Sequence, residues 1–132
     1  MKRDEILTQI IVPKDVEQFR GTYIKFGPRK AMDIGIVNIA VLLEADYKNR
    51  QCKRIRIALG AVAPTPIRAR QAEELLEGKE LKPKTIQEAA EVASTETSPI
   101  SDFRASANYR RELVRILVAR GIHMILESNR SS

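Results

Sequence analysis

The chain has no tryptophan, one cysteine and one histidine among 132 residues, and aromatic residues make up 5% of it. Each shortage removes a class of chemistry. Cys52 alone cannot form a disulfide within the chain or hold an iron–sulfur cluster by its own thiolates. His123 alone cannot build a histidine-rich metal site. The phosphate-binding and hydrolase patterns GxGxxG, the Walker loop, HExxH and GxSxG do not occur. Nucleophilic catalysis would therefore rest on Ser, Lys or a carboxylate with an unusual partner. Asp33 and Glu44 are separated by a whole strand and make no acid–base pair. No uninterrupted apolar run reaches the ~18 residues of a membrane span. The start, MKRDEILTQI, lacks the apolar core and cleavage site of a signal peptide, so a cytoplasmic protein is expected.

What is present is an ordinary apolar content of 43% in a length suited to a single domain over residues 1–132. Such a domain buries roughly two-thirds of the surface its unfolded chain exposes. The net charge of +6 raises nucleic acid as a partner, but its placement argues otherwise. Residues 1–66 carry 12 Lys and Arg against 7 Asp and Glu, and residues 67–132 carry 11 against 10. There is no basic tail, and the scattered aromatics form no stacking platform. A basic face meeting an acidic partner or a phosphate-bearing cofactor fits the composition equally well.

Apolar alternation predicts strands in the first half. Ile6–Val12 reads as a short strand closed by Pro13. In Thr22–Phe26, Thr22, Ile24 and Phe26 share one face, and Tyr23 and Lys25 the other. Gly27-Pro28 ends this strand, and Arg29–Asp33 forms a charged turn. Ile34–Glu44 is the longest strand, with Gly35, Val37, Ile39, Val41 and Leu43 facing a core and Asn38 and Glu44 facing away. After a polar hairpin loop over Ala45–Gln51, Lys53–Gly60 places Ile55, Ile57 and Leu59 inward and Arg54 and Arg56 outward. The two long strands should pair antiparallel.

The period then changes to that of helices. Thr65-Pro66 has the chemistry of a helix start. Ala69, Ala72 and Leu76 form a buried face, and Gly78 suits the left-handed closing residue. Thr85-Ile86-Gln87-Glu88 reads as a capping box, with Ile86, Ala89, Ala90 and Ala93 as the buried stripe of a second helix. A third helix is expected from near Ser106 to about Glu127, with Tyr109, Leu113, Ile116 and Leu117 inward. Arg104, Asn108, Arg111 and Arg115 would lie outward. Gly121 costs this helix about 1 kcal/mol relative to alanine and marks a bend or an end. Strands first and helices after predict an α+β two-layer sandwich, a three- or four-stranded antiparallel sheet packed against three helices.

Few polar groups stand out. His123 between Ile122 and Met124, and Cys52 beside a strand, read as structural. Lys25 and Tyr23 project together from one strand face. Arg68 and Arg70 sit where a helix dipole disfavours cations, so a carboxylate partner is expected, either Glu73 or Asp102. Asp102 suits a turn former or ion-pair partner better than a base. The Gly60–Pro66 turn resembles an anion cradle, but Pro66 removes a donor such a cradle needs, so its role reads as architectural.

Three runs in order, KFGPRKAMDIGIVNIAVLLEAD, RIRIALGAVAPTPIRARQAEELLEGK and PISDFRASANYRRELVRILVARG, resemble the C-terminal domain of the flavoprotein subunit of molybdenum hydroxylases. This is the family of carbon monoxide, xanthine, nicotinate and aldehyde dehydrogenases. The likeness covers about residues 5–122. It implies an antiparallel sheet covered by three helices, closing over FAD held mainly by two preceding domains. The implied partners are an FAD-binding domain or subunit, an iron–sulfur subunit and a molybdopterin subunit. Electrons would pass from molybdenum through iron–sulfur clusters to FAD. The cofactor contact carried over is the strand lysine before the Arg–x–x–x–Asp turn, here Lys25 ahead of Arg29 and Asp33. The FAD-binding domains with their glycine-rich loops do not occur in this sequence. The resemblance thus implies an accessory part with no catalytic residue of its own, carrying no FAD by itself. The contrasting expectation is a self-associating interaction module, a homo-oligomer using the face of Tyr23, Lys25 and Asn38.

Overall fold

Alternation builds the sheet. Val37, Ile39, Val41 and Leu43 are fully buried, while Asn38, Ala40, Leu42 and Glu44 between them lie toward the surface, as in a strand with one face on a core. The computed structural model of the chain describes residues 3–12, 18–29 and 34–128. Its elements are β1 (Arg20–Phe26), β2 (Val37–Asp46), β3 (Gln51–Gly60), β4 (Ile67–Arg68), α1 (Arg70–Leu76), α2 (Pro83–Thr95) and α3 (Ala107–Ser128). The strands form one antiparallel sheet in the order β1-β2-β3-β4. Helix α3 lies across β1 and β2, α1 lies on β3, and α2 packs against both helices. This is the expected α+β arrangement, with four strands.

The β2–β3 hairpin turns on Asp46, whose Oδ1 accepts the N–H groups of Lys48 and Asn49, and on Arg50 in the left-handed region at φ 53°. Beyond β4 the edge of β3 would be bare, because β4 is two residues long. The following chain covers it. Ala69 N–H donates to Ile57 O at 2.9 Å, Gly78 N–H to Cys52 O at 2.9 Å and Leu81 N–H to Arg50 O at 2.7 Å. Two side chains complete the edge: Ile57 N–H donates to Glu73 Oε1 at 2.7 Å and Ile55 N–H to Glu77 Oε1 at 3.4 Å. Carboxylates from α1 and the residue that caps its end, Glu77, thus replace the carbonyls of a missing strand.

That edge also moves the start of α1. The sequence places it at Thr65-Pro66, but Ile67 and Arg68 pair with Leu59 and Ala58 as β4, and the helix begins at Arg70. Its free N–H groups at Gln71 and Ala72 donate to the carboxylate of Glu96, at the end of α2. Gly78 closes the region at φ 75°, as expected. Helix α2 starts at Pro83, which suits the first helical position. Thr85 therefore lies inside the first turn, and the expected capping box does not form. Its stripe of Ile86, Ala89, Ala90 and Ala93 is buried as anticipated.

In α3 the buried face runs through Arg110, Leu113, Val114, Leu117, Val118, Gly121 and Ile122. Tyr109 and Ile116, expected inward, are 47% and 44% exposed, because this phase puts them on the flank. Gly121 does not end the helix, which continues to Ser128. A methyl group on Gly121 would stand 2.9 Å from Ile39 Cδ1 and 3.3 Å from Val41, so the glycine lets α3 approach the sheet closely. Ile6–Val12 is not a strand: these residues carry no regular structure, and Ile6, Leu7, Ile10, Ile11 and Val12 are all exposed. Asp33 and the middle of its turn lie outside the described residues.

Candidate functional site

Antiparallel register arranges the sheet face turned away from the helices into rows. Lys25 lies opposite Asn38, and Asn38 opposite Gly60; in the next row Tyr23, Ala40, Ala58 and Arg68 follow one another. The floor is therefore made of small residues, Ala40, Ala58 and Gly60. A groove of about 230 Å³ runs over it, with Tyr23, Asn38 and Pro66 as further lining. Lys25 is exposed on the same face, beside Asn38. At the other end of the face Arg54 Nε donates to Glu44 Oε2 at 2.6 Å. The sequence placed Tyr23, Lys25 and Asn38 on one face, and the register sets Asn38 directly opposite Lys25.

A flat floor with an aromatic ring, an amide and an amine around it can receive one side of a planar ring system. It cannot enclose a dinucleotide: ordinary ligand pockets span about 300–1,000 Å³. Asn38 is half-buried. Its Oδ1 is buried without a hydrogen-bond partner among the described residues. A methyl group on Gly35 would come within 2.3 Å of that oxygen, so a larger residue at position 35 would force the Asn38 amide to turn aside.

The strand ends at this side of the sheet are tied together by Arg110, which is 4% exposed. Its Nη1 donates to Ile36 O at 2.5 Å and to Ala61 O at 3.2 Å, and its Nη2 to Asp102 Oδ1 at 2.9 Å. Ile36 N–H donates in turn to Phe26 O at 2.7 Å, one residue from Lys25. Asp102 also accepts the N–H groups of Arg104 and Ala105, and Arg104 Nη1 at 2.8 Å. Burial works to raise the Asp102 carboxyl, but these donors and the Arg110 charge outweigh it and hold the pKa at about 2. Asp102 is thus the turn former and ion-pair partner expected from sequence. Arg110 escaped that reading, although its spacing from Leu113, Val114 and Leu117 places it on the buried stripe.

The other singled-out residues are structural. Arg68 finds its partner in Glu73, at 2.6 and 2.5 Å, and the hydrogen bond to that carboxylate raises the Arg68 pKa. Asp102 does not pair with Arg68 or Arg70. Cys52 is buried, and that burial, with Glu77 and Glu44 nearby, pushes its thiol up to about 12, so it is inert near neutrality. No three His, Cys, Asp or Glu side chains among the described residues are placed to hold a metal, and none of the described helices is long and apolar enough to cross a membrane. The carbonyl of Ala61, in the Gly60–Pro66 turn, is taken by Arg110, in keeping with an architectural turn.

The family model described as the CO dehydrogenase flavoprotein C-terminal domain matches residues 22–125. The chain belongs to that family. It is 34% identical over 119 residues to the nicotine 6-hydroxylase medium subunit of Paenarthrobacter nicotinovorans, covering 90% of this chain and 40% of that one. It is 30% identical over 123 residues to the xanthine dehydrogenase FAD-binding subunit of Escherichia coli O157:H7, covering 92% of this chain and 41% of that one. Among solved structures, it superposes with a TM-score of 0.76 at 29% identity on carbon monoxide dehydrogenase from Hydrogenophaga pseudoflava, in a form lacking the Mo-pyranopterin moiety of the molybdenum cofactor. That match covers 83% of this chain and 37% of the other. The CO dehydrogenase flavoprotein C-terminal domain family thus accounts for β1 to α3, while the chain spans about two-fifths of the length of the curated relatives it matches.

Proposed function

We propose that this chain is the flavin-facing accessory part of an FAD-containing molybdenum hydroxylase. The observation that carries the reading is the small-residue groove beside Tyr23, Lys25 and Asn38 on the uncovered sheet face of a chain of this family. The residues fit contact with one side of a flavin, and the groove is too small to hold FAD unaided. An FAD-binding domain or subunit would retain the nucleotide, and an iron–sulfur subunit and a molybdopterin subunit would complete the electron path. When bound, FAD supplies the capacity to take up electrons and hand them to an acceptor. The chain's own residues close over the ring: Lys25 offers a cationic donor to an acceptor atom of the flavin, and Arg110 keeps the strand end in place through Ile36.

The test is reconstitution with the flavin-bearing and redox partners. Lys25→Ala should lower FAD retention about 10- to 100-fold, the range of a lost charge-assisted hydrogen bond, while the isolated fold melts unchanged. Equal flavin content and turnover in the variant would overturn the role of Lys25. Purified alone, the chain should be colourless; stoichiometric flavin on it would contradict the accessory reading. A stable homodimer burying Tyr23, Lys25 and Asn38, with no redox partner captured, would favour a self-associating module.

A further inference from the structure

Three loops leave a cleft of about 440 Å³ between them, within the range of about 300–1,000 Å³ usual for small-molecule sites. One wall is Ile34, ahead of β2; another is Ala63 and Pro64, in the turn after β3; the third is Ile100, ahead of α3. Ile34 and Ile100 stand 63% and 72% exposed. Ala61 also lines the cleft and sits at φ 63°, a left-handed conformation that is unfavourable for alanine. Strain of this kind is typical of binding sites. The polar groups are Asp102, Arg104 and Arg110, with Ser98 beside them. Asp102 is ionised near neutrality, its pKa held at about 2, so two guanidiniums against one carboxylate leave one positive charge in excess. The Nη atoms of Arg110 are taken by Ile36 O, Ala61 O and Asp102. Arg104 is differently placed. It gives Nη1 to Asp102 Oδ2 at 2.8 Å and lies over the exposed Phe103 ring, 4.6 Å from its centre. Its Nε and Nη2 meet no acceptor among the described residues. That edge is the one with which Arg68 holds Glu73, at 2.6 and 2.5 Å. The chain itself thus shows what such an edge takes: a carboxylate, through two parallel bonds.

We propose that this cleft binds a small carboxylic acid with an apolar body. Its carboxylate sits on the Nε–Nη2 edge of Arg104, and its body lies between Ile34, Ile100 and Pro64. The single positive charge in excess suits a monoanion, and the neighbouring Asp102 carboxylate works against a second negative charge. Filling the cleft takes the exposed surfaces of Ile34 and Ile100 out of water, which supplies the apolar part of the affinity. The site does not depend on flavin.

The experiment titrates the full chain with hexanoate and follows backbone amides by NMR, with hexanamide as the uncharged twin. Hexanoate should give saturable shifts centred on Gly35, Ala63, Ile100 and Arg104, and bind at least about tenfold more tightly than hexanamide. Arg104→Lys keeps the charge but loses the two-pronged edge, and should weaken hexanoate about tenfold. Should that variant loosen the loop, Ile100→Ser serves instead: it alters an exposed side chain and should weaken both probes alike. Equal affinity for hexanoate and hexanamide, shifts spread over arginines elsewhere on the surface, or a titration without saturation would overturn the site. A blocked tripeptide, acetyl-Leu-Glu-Leu-amide, presents the same carboxylate on a polypeptide. Tighter binding of that probe than of hexanoate would overturn the free acid as the occupant.

Discussion

Arg110 Nη2 lies 2.9 Å from Asp102 Oδ1, and this ion pair fastens α3 to the loop that precedes it. The same guanidinium reaches the backbone ahead of β2 and after β3, so one side chain fixes three segments at the end of the sheet where Lys25 sits. Arg110→Ala would leave two carbonyls and a carboxylate without their donor. A loss of about 2–4 kcal/mol is expected in urea unfolding, tempered because Asp102 keeps Arg104 and some solvent. An unchanged denaturation midpoint would count against this role.

The Asp102 carboxyl also sets a pH dependence. Its folded pKa of about 2 lies below the ordinary 3.8, so between those values the unfolded chain binds more protons than the folded one. Stability from this group is fully present above pH ~4 and is lost as the pH falls toward ~2. Wild type and Asp102→Asn should accordingly differ most near neutrality and converge in that acid window. Parallel stability curves across it would refute the assignment.

Glu73 is 4% exposed and serves Ile57 N–H and the Arg68 guanidinium together. Glu73→Ala should cost about 2–4 kcal/mol, since it strands a buried amide and removes the partner of a half-buried cation. Glu73→Gln keeps an acceptor for Ile57 and should cost about half as much. Thermal unfolding of the two variants separates these outcomes, and equal effects would mean the edge amide is not what Glu73 supports.

Gly121 lies where α3 approaches Ile39, Val41 and Thr22 so closely that an added methyl group would stand 2.9, 3.3 and 3.4 Å from their side chains. Gly121→Val should destabilise by about 3 kcal/mol through overpacking, despite removing a flexible residue from a helix. A variant as stable as wild type, measured by chemical denaturation, would show that the helix can move away freely.

Much of the fold was legible in the residues themselves. Alternation through Val37–Leu43 and Ile55–Leu59 placed both long strands and their inner faces, and the Ile86–Ala93 stripe placed α2. The pairing of Tyr23 with Lys25 on one face followed from the two-residue period of a strand. These are local regularities, repeated within a few residues, so the chain states them wherever it is read. Tertiary structure decided what distant groups share. The helix start moved to Arg70 because the edge of β3 drew Ile67 and Arg68 into the sheet, and Glu96 from another helix capped the amides left over. Arg110 could be buried only because Ile36, Ala61 and Asp102 meet around it. The sequence put Asn38 on the face of Tyr23 and Lys25, but only the register set it between Lys25 and Gly60. The segment Ile6–Val12 has the local pattern of a strand yet stays unpaired, because a strand exists only with a neighbour to accept its hydrogen bonds.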